Sequence, residues 1–218
     1  NSQPGPELAS NGNFTFGWAS FSWDNAAYIG NTIVNGPGKL AVTNGNLITS
    51  HNGNFSCIAK NGNPSDNFLI VDGSLFSGGT VVWEQQPTLT GHLNYTFCAY
   101  LKNIVRPGLN LAKPLVILEI VDGAGNILAK SLATTLVEGQ AWKKISVNWT
   151  PLPIAYTFPI KIRIRSLSDK KIGNDFAVDC ISFSGCTFGP TFCSCPNSSS
   201  GNNLIANGDF SAGYAGLK

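Results

Sequence analysis

Methionine is absent from the 218 residues, histidine occurs twice, and charged side chains make up 12% of the chain. With so little charge and a net balance of +2, the sequence lacks the basic footprint that a phosphate backbone demands, which sets nucleic acid aside. No apolar run approaches the roughly 20 residues that cross a bilayer. The longest, such as PLVILEIV at 114–121, is interrupted by Glu119, so membrane insertion is not expected. The six cysteines include no CxxC pair, Cys193 and Cys195 are one residue apart, and His51 and His92 lie far away, which argues against zinc. A charged-then-apolar leader is also missing, so any secretory signal is expected to be removed or to lie upstream.

What is present points to the cell exterior. Six cysteines combined with abundant Asn, Gly, Ser and Thr and few Lys or Glu fit an oxidising compartment, and the cysteines are expected to form disulfides. Cys57 and Cys98 fall in segments that carry them into the body, and the cluster at 186–195 is placed to staple the exit. The chain also repeats itself. NLIANGDFSAGYAGLK at 203–218 matches ELASNGNFTFGWASF at 7–21, setting Leu204 on Leu8, Asn207 on Asn11, Gly208 on Gly12, Phe210 on Phe14 and Tyr214 on Trp18. That spacing is a whole domain, far longer than a solenoid unit. The expected organisation is a leader at 1–6, a module at 7–186, a Cys/Ser/Gly-rich linker at 187–203 and the start of a second repeat at 204–218. Neighbouring repeats of one multi-domain chain are therefore expected partners.

The dominant apolar period is two, the signature of strands. IKIRIRSL at 160–167 alternates Ile160, Ile162 and Ile164 inward with Lys161, Arg163 and Arg165 outward, and LNYTFCAYLKNI at 93–104 separates Tyr95, Phe97, Ala99 and Leu101 from Thr96, Cys98, Tyr100 and Lys102. Asn-Gly at 11, 35, 44, 52 and 61 and Asp-Gly at 72 and 122 punctuate these runs with residues that tolerate positive φ. EIVDGAGNILAK reads as a hairpin. With no helical apolar stripe, the fold class is all-β: a β-sandwich, with a jelly roll as first choice.

One acid stands out. Asp179 lies among Val178, Cys180 and Ile181, where a buried carboxylate needs a cation or several N–H donors. The opening turn SNGNFT supplies amide, hydroxyl and carbonyl oxygens, so Asn13, Thr15 and Asp179 form a candidate structural Ca²⁺ site. The alternative is that Asp179 accepts hydrogen bonds from turn N–H groups.

Taken in order, NGNF, DNFLIVDGS at 66–74, VVWEQ at 81–85, LNYTFCAYLKNI, WKKISVNWT and GNDFAVDCISF resemble the galactose-binding-like jelly rolls related to carbohydrate-binding modules, especially those repeated in large secreted surface proteins of Gram-negative bacteria. The resemblance covers about residues 7–186. It implies a structural Ca²⁺ shared by the opening strand and the closing Asp, matching Asn13 and Asp179. This chain has Thr15 where many relatives carry Glu and Cys180 where a second acid is common, and both changes remove negative charge.

Sugar recognition on an open surface relies on aromatic rings flanked by polar groups. The candidates are Trp18, Trp23, Tyr28, Tyr100 and Tyr156, with Trp83, Trp142 and Trp149 assigned to the core. The row Lys161, Arg163, Arg165 is read as a solvated face, or as a contact for anionic polysaccharide. Glu84 and Glu119 are the acids inside apolar strands and the pair to examine for glycoside hydrolysis. Two scattered histidines offer no triad, and an enzyme is not expected. The reading is a non-catalytic carbohydrate-binding or adhesive module, secreted or on the cell surface, with a polysaccharide or glycan as partner. A ligand-free structural spacer is the alternative and a glycoside hydrolase the third reading.

Overall fold

Alternation along the strands builds two sheets that pack on each other through one face each. The structure, a computed structural model, describes residues 4–30, 33–73, 76, 79–89, 94–151, 159–170 and 172–186. The larger sheet runs β10 (Lys143–Trp149), β6 (Asn94–Asn103), β12 (Phe176–Cys186), β4 (Asn67–Asp72), β3 (Lys39–Asn44), β2 (Ile29–Gly30), with β1 (Pro4–Glu7) added on β12. The smaller runs β5 (Thr80–Gln85), β11 (Ile160–Ser166), β7 (Leu115–Asp122), β8 (Ile127–Lys130), with β9 (Thr134–Thr135) on β7. Every ladder is antiparallel except the short β2–β3 pair. The one helical piece among the described residues is a single turn, α1 (Ile48–His51). This is the expected β-sandwich of jelly-roll type.

The expected inward faces form the main core. Tyr95, Phe97, Ala99 and Leu101 of β6 meet Ile160, Ile162 and Ile164 of β11, with Trp83 and Trp149 among them. Trp83 stacks on Phe97 at 6.1 Å, and Tyr95 on Phe183 at 5.2 Å. The hairpin β7–β8 forms as read from EIVDGAGNILAK. Its turn is closed by Asp122, whose carboxylate accepts the backbone N–H groups of Ala124 and Asn126 and the Asn126 amide.

Entry and exit meet. Leu8 N donates to Phe183 O at 2.7 Å, and Ile181 N to Gly12 O at 2.9 Å. Gly12 is required by this approach, since a Cβ there would stand 2.0 Å from the Ile181 carbonyl oxygen. β12 is bulged here: its register on β6 slips between Asp179 and Ser182, and Cys180 takes the left-handed φ of 48°.

A second apolar cluster lies outside the sandwich. Ala41, Phe68, Ile70 and Ala177 on the outer face of the larger sheet are roofed by Val34, Ile48, Phe55, Cys57 and Ala59. Trp142 belongs to this roof and not to the core as expected. It packs edge-on to Phe68 at 6.2 Å and donates its indole N–H to Ile58 O. Inside the cluster His51 is neutral, because Nδ1 accepts the Val34 N–H at 3.0 Å, leaving Nε2 to meet Thr43 Oγ1 at 2.7 Å. Burial lowers its pKa.

Candidate functional site

The irregular segment after β1 gathers aromatic rings at one edge of the sandwich. Trp18 and Trp23 lie 5.0 Å apart, Phe21 is about equally distant from both at 5.9 and 6.0 Å, and Phe21 stacks on core Trp83 at 6.3 Å. All three are half-buried, so each keeps part of a ring in solvent while its base is fixed. Trp23 is further held by its indole N–H, which donates to Tyr28 O at 3.2 Å. Gly30 gives the tryptophans room, because a Cβ there would stand 2.9 Å from the Trp23 ring.

Beside Phe21 the segment bridges strand β5, Ser22 pairing with Glu84. A cavity of about 400 Å³ opens there, lined by Ser20, Phe21, Ser22, Gln86, Glu84 and Lys161. Gln85 also reaches it but is engaged by Ser10, accepting the Ser10 N–H and donating to its carbonyl. Rings, hydroxyls, an amide and a charged pair thus share one edge.

The sequence candidates divide. Trp18 and Trp23 come together; Phe21, between them in WASFSW at 18–23, is not among the sequence candidates although it belongs to the same stretch. Tyr28 is a correction: it is 1% exposed and packs in the core, with its hydroxyl accepting from Thr80 Oγ1 at 3.2 Å. Tyr100 is a second correction. It does face away from Tyr95 and Phe97, but it is buried on that face, with Lys60 Nζ 4.5 Å from the ring centre. Tyr156, the linker and the second repeat at 204–218 lie outside the described residues.

Asn13, Thr15 and Asp179 do line one cavity, of about 190 Å³, joined by Asn61, Ser65, Asp66 and Asn67. The oxygen-rich lining suits a hard cation, yet its acids are satisfied without one. Asp179 accepts the N–H groups of Lys60 at 2.8 Å and of Cys180 at 2.7 Å, the hydrogen-bond alternative read from the sequence. Asp66 accepts the amides of Asn61 and Asn63. Burial raises the Asp179 pKa against the pull of those N–H groups.

Cys57 and Cys180 are free thiols, correcting the expectation that all six cysteines pair. Burial pushes both up to about 12, so neither is a ready nucleophile. Cys193, Cys195 and the Cys186 side chain lie outside the described residues.

The basic row is not a free solvated face. Lys161 pairs with Glu84 at 2.8 Å, while Arg163 at 2.6 Å and Arg165 at 3.2 Å both hold Glu119. Arg163 sits opposite both acids in the ladder, so Glu84 and Glu119 stand two strand spacings apart, about 10 Å. Both are tied to cations on one sheet face instead of facing each other across a groove.

No protein-family profile and no curated protein sequence matches the chain. Among solved structures it is similar to a cyclase from Fischerella sp. TAU, with a TM-score of 0.57 and 14% identity over 84% of this chain and 97% of that one. It is similar to the CBM22-1 xylan-binding domain from Paenibacillus barcinonensis, with a TM-score of 0.51 and 12% identity over 87% and 99%. An arabinose-bound α-L-arabinofuranosidase matches at 0.52 and 16% identity over 85% of this chain, which spans 27% of that longer one. At these identities the shared property is the jelly-roll fold.

Proposed function

We propose that the module is a non-catalytic carbohydrate-binding or adhesive domain of a secreted, multi-domain surface protein. A sugar ring stacks on the Trp18, Phe21, Trp23 cluster while its hydroxyls meet Gln86, Ser20 and Ser22 in the adjoining cavity. The observation that carries this reading is the cluster itself, three half-buried rings packed on one another beside polar groups at the β5 edge. The fold shared with a xylan-binding domain supports it as analogy.

The test is calorimetric titration of the module with xylan, arabinan, galactan and an anionic polysaccharide, each with and without Ca²⁺. Binding to at least one is expected, and Trp23→Ala should weaken it on the order of tenfold, the loss of one stacking platform. Silence across the panel would favour the ligand-free spacer, and affinity unchanged from the parent in both Trp23→Ala and Trp18→Ala would put the binding site away from the ring cluster.

A further inference from the structure

We infer that Asp72, Asp175 and Asn174 form a binding site for a hard divalent cation, Ca²⁺ by its chemistry, tying the end of β4 to the start of β12. Asp72 closes β4 and Asp175 immediately precedes β12; each is 6% exposed. Their side chains are hydrogen-bonded to one another, Asp72 also accepts the Gly36 N–H, and Asp175 Oδ1 accepts the Gly73 N–H at 3.1 Å. Lys39, opposite Asp72 in the β3–β4 ladder, exerts a favourable charge on it, but its Nζ is bonded to Asn35 Oδ1 at 2.7 Å. Among the described residues neither acid makes a salt bridge.

Two carboxylates in contact need a proton or a cation between them. Burial and the charge of Asp72 together push Asp175 up to about 8, so a shared proton would settle the pair alone. It would not settle Asn174. This side chain is 0% exposed, and its Oδ1 is one of three buried polar side-chain atoms among the described residues without a hydrogen-bond partner. Its orientation is fixed, since Nδ2 donates to Lys170 O at 2.7 Å, and turning the amide would merely orphan the other atom. The amide packs on Gly73, the residue joined to Asp72 and hydrogen-bonded to Asp175, so closely that a Cβ there would stand 2.1 Å from its Cγ, Oδ1 and Nδ2 alike.

A buried acceptor left unmade is unfavourable, and Asn174 is also held at a left-handed φ of 65° by its N–H bond to Ala112 O. One ion accounts for what a proton leaves over. A hard divalent cation takes both carboxylates and the amide oxygen, with carbonyls or water completing its shell. The all-oxygen donor set selects Ca²⁺ over zinc or copper. The cavity at Asp179 differs, because among the described residues none of its lining side chains holds a buried polar atom without a hydrogen-bond partner.

The experiment is thermal unfolding and Ca²⁺ titration calorimetry on the full chain after chelator stripping. Millimolar Ca²⁺ should raise Tm by roughly 5 °C, with Mg²⁺ well below that. Asp175→Asn should abolish the response and Asn174→Gly should reduce affinity at least about tenfold; the glycine keeps the left-handed backbone, so this variant decides the matter if the first does not fold. Asp179→Asn should respond like the parent. A chain indifferent to Ca²⁺, or a response kept by Asn174→Gly and Asp175→Asn, or one lost in Asp179→Asn alone, overturns the assignment.

Discussion

Both sheets carry buried acids on their outer faces, and they hold them by different means. On the smaller sheet Glu119, 2% exposed, lies beneath two guanidinium groups supplied by alternate residues of one neighbouring strand. On the larger sheet Asp72, Asp175 and Asp179 have no ion pair among the described residues and are met by backbone N–H groups, those of Gly36 and Lys60 from the segments roofing that face and those of Gly73 and Cys180 from the strands' own chain. Side chains that reach across a ladder compensate charge without a cover, so the smaller sheet stays open. Backbone donors have to be brought in by chain, so the larger sheet acquires a second apolar cluster along with them. The difference makes one face a charge lattice and the other a packed layer.

The hardest blow to this contrast is expected in the packed layer. Phe68→Ala should destabilise the module by about 4 kcal/mol in denaturant unfolding, as for a core aromatic; a loss under about 1 kcal/mol would mean that the roof contributes no core. On the lattice, Glu119→Ala should remove about 3 kcal/mol by taking away the counter-charge of two largely covered guanidinium groups. The roof should also answer to acid through His51. Its folded pKa is lowered by burial, so the unfolded chain binds the proton first, and stability declines as pH falls below about 6.5 towards the folded value, by about 1.4 kcal/mol per unit of depression. Subtracting the pH profile of His51→Gln from the parent should expose that decline, and parallel profiles would refute it. The smallest effect belongs to Glu84→Ala, at most about 1 kcal/mol, because its partner Lys161 is 37% exposed. Equal losses for Glu84→Ala and Glu119→Ala would show that burial is not what separates the two pairs.

What the sequence disclosed follows the same division. Strict alternation in 93–104 and 160–167 marked inward faces correctly, because period two is a local property. The joining of Asn13, Thr15 and Asp179 was also legible, from an acid too apolar in its neighbours to stand alone. The roof was hidden, since Ile48, Phe55, Cys57 and Ala59 sit on loop and single-turn chain with no period to betray them. Hence Tyr100, on the outer face by alternation, reads from sequence as exposed and is buried, and Trp142 reads as core and packs in the roof. The partners of Arg163 and Arg165 were hidden for another reason: alternation tells which way a side chain points, while the neighbour across the ladder depends on register between strands distant in sequence. Asn174 could have been noticed from the GND preceding β12, though nothing in sequence tells that its oxygen lacks a donor.

The first strand carries a mechanical consequence. Pro4 lies opposite Cys186 and Glu7 opposite Ser184, so β1 and β12 run head to tail with residues 4 and 186 at the same end. Tension between those two points would break hydrogen bonds in succession, as a zipper opens, instead of loading the whole ladder in shear. Peeling would halt at Glu7, whose carboxylate clasps Ser182 Oγ and the N–H groups of Ala9 and Phe183. Force spectroscopy through residues 4 and 186 should therefore record a small extension at low load before the sandwich itself gives way.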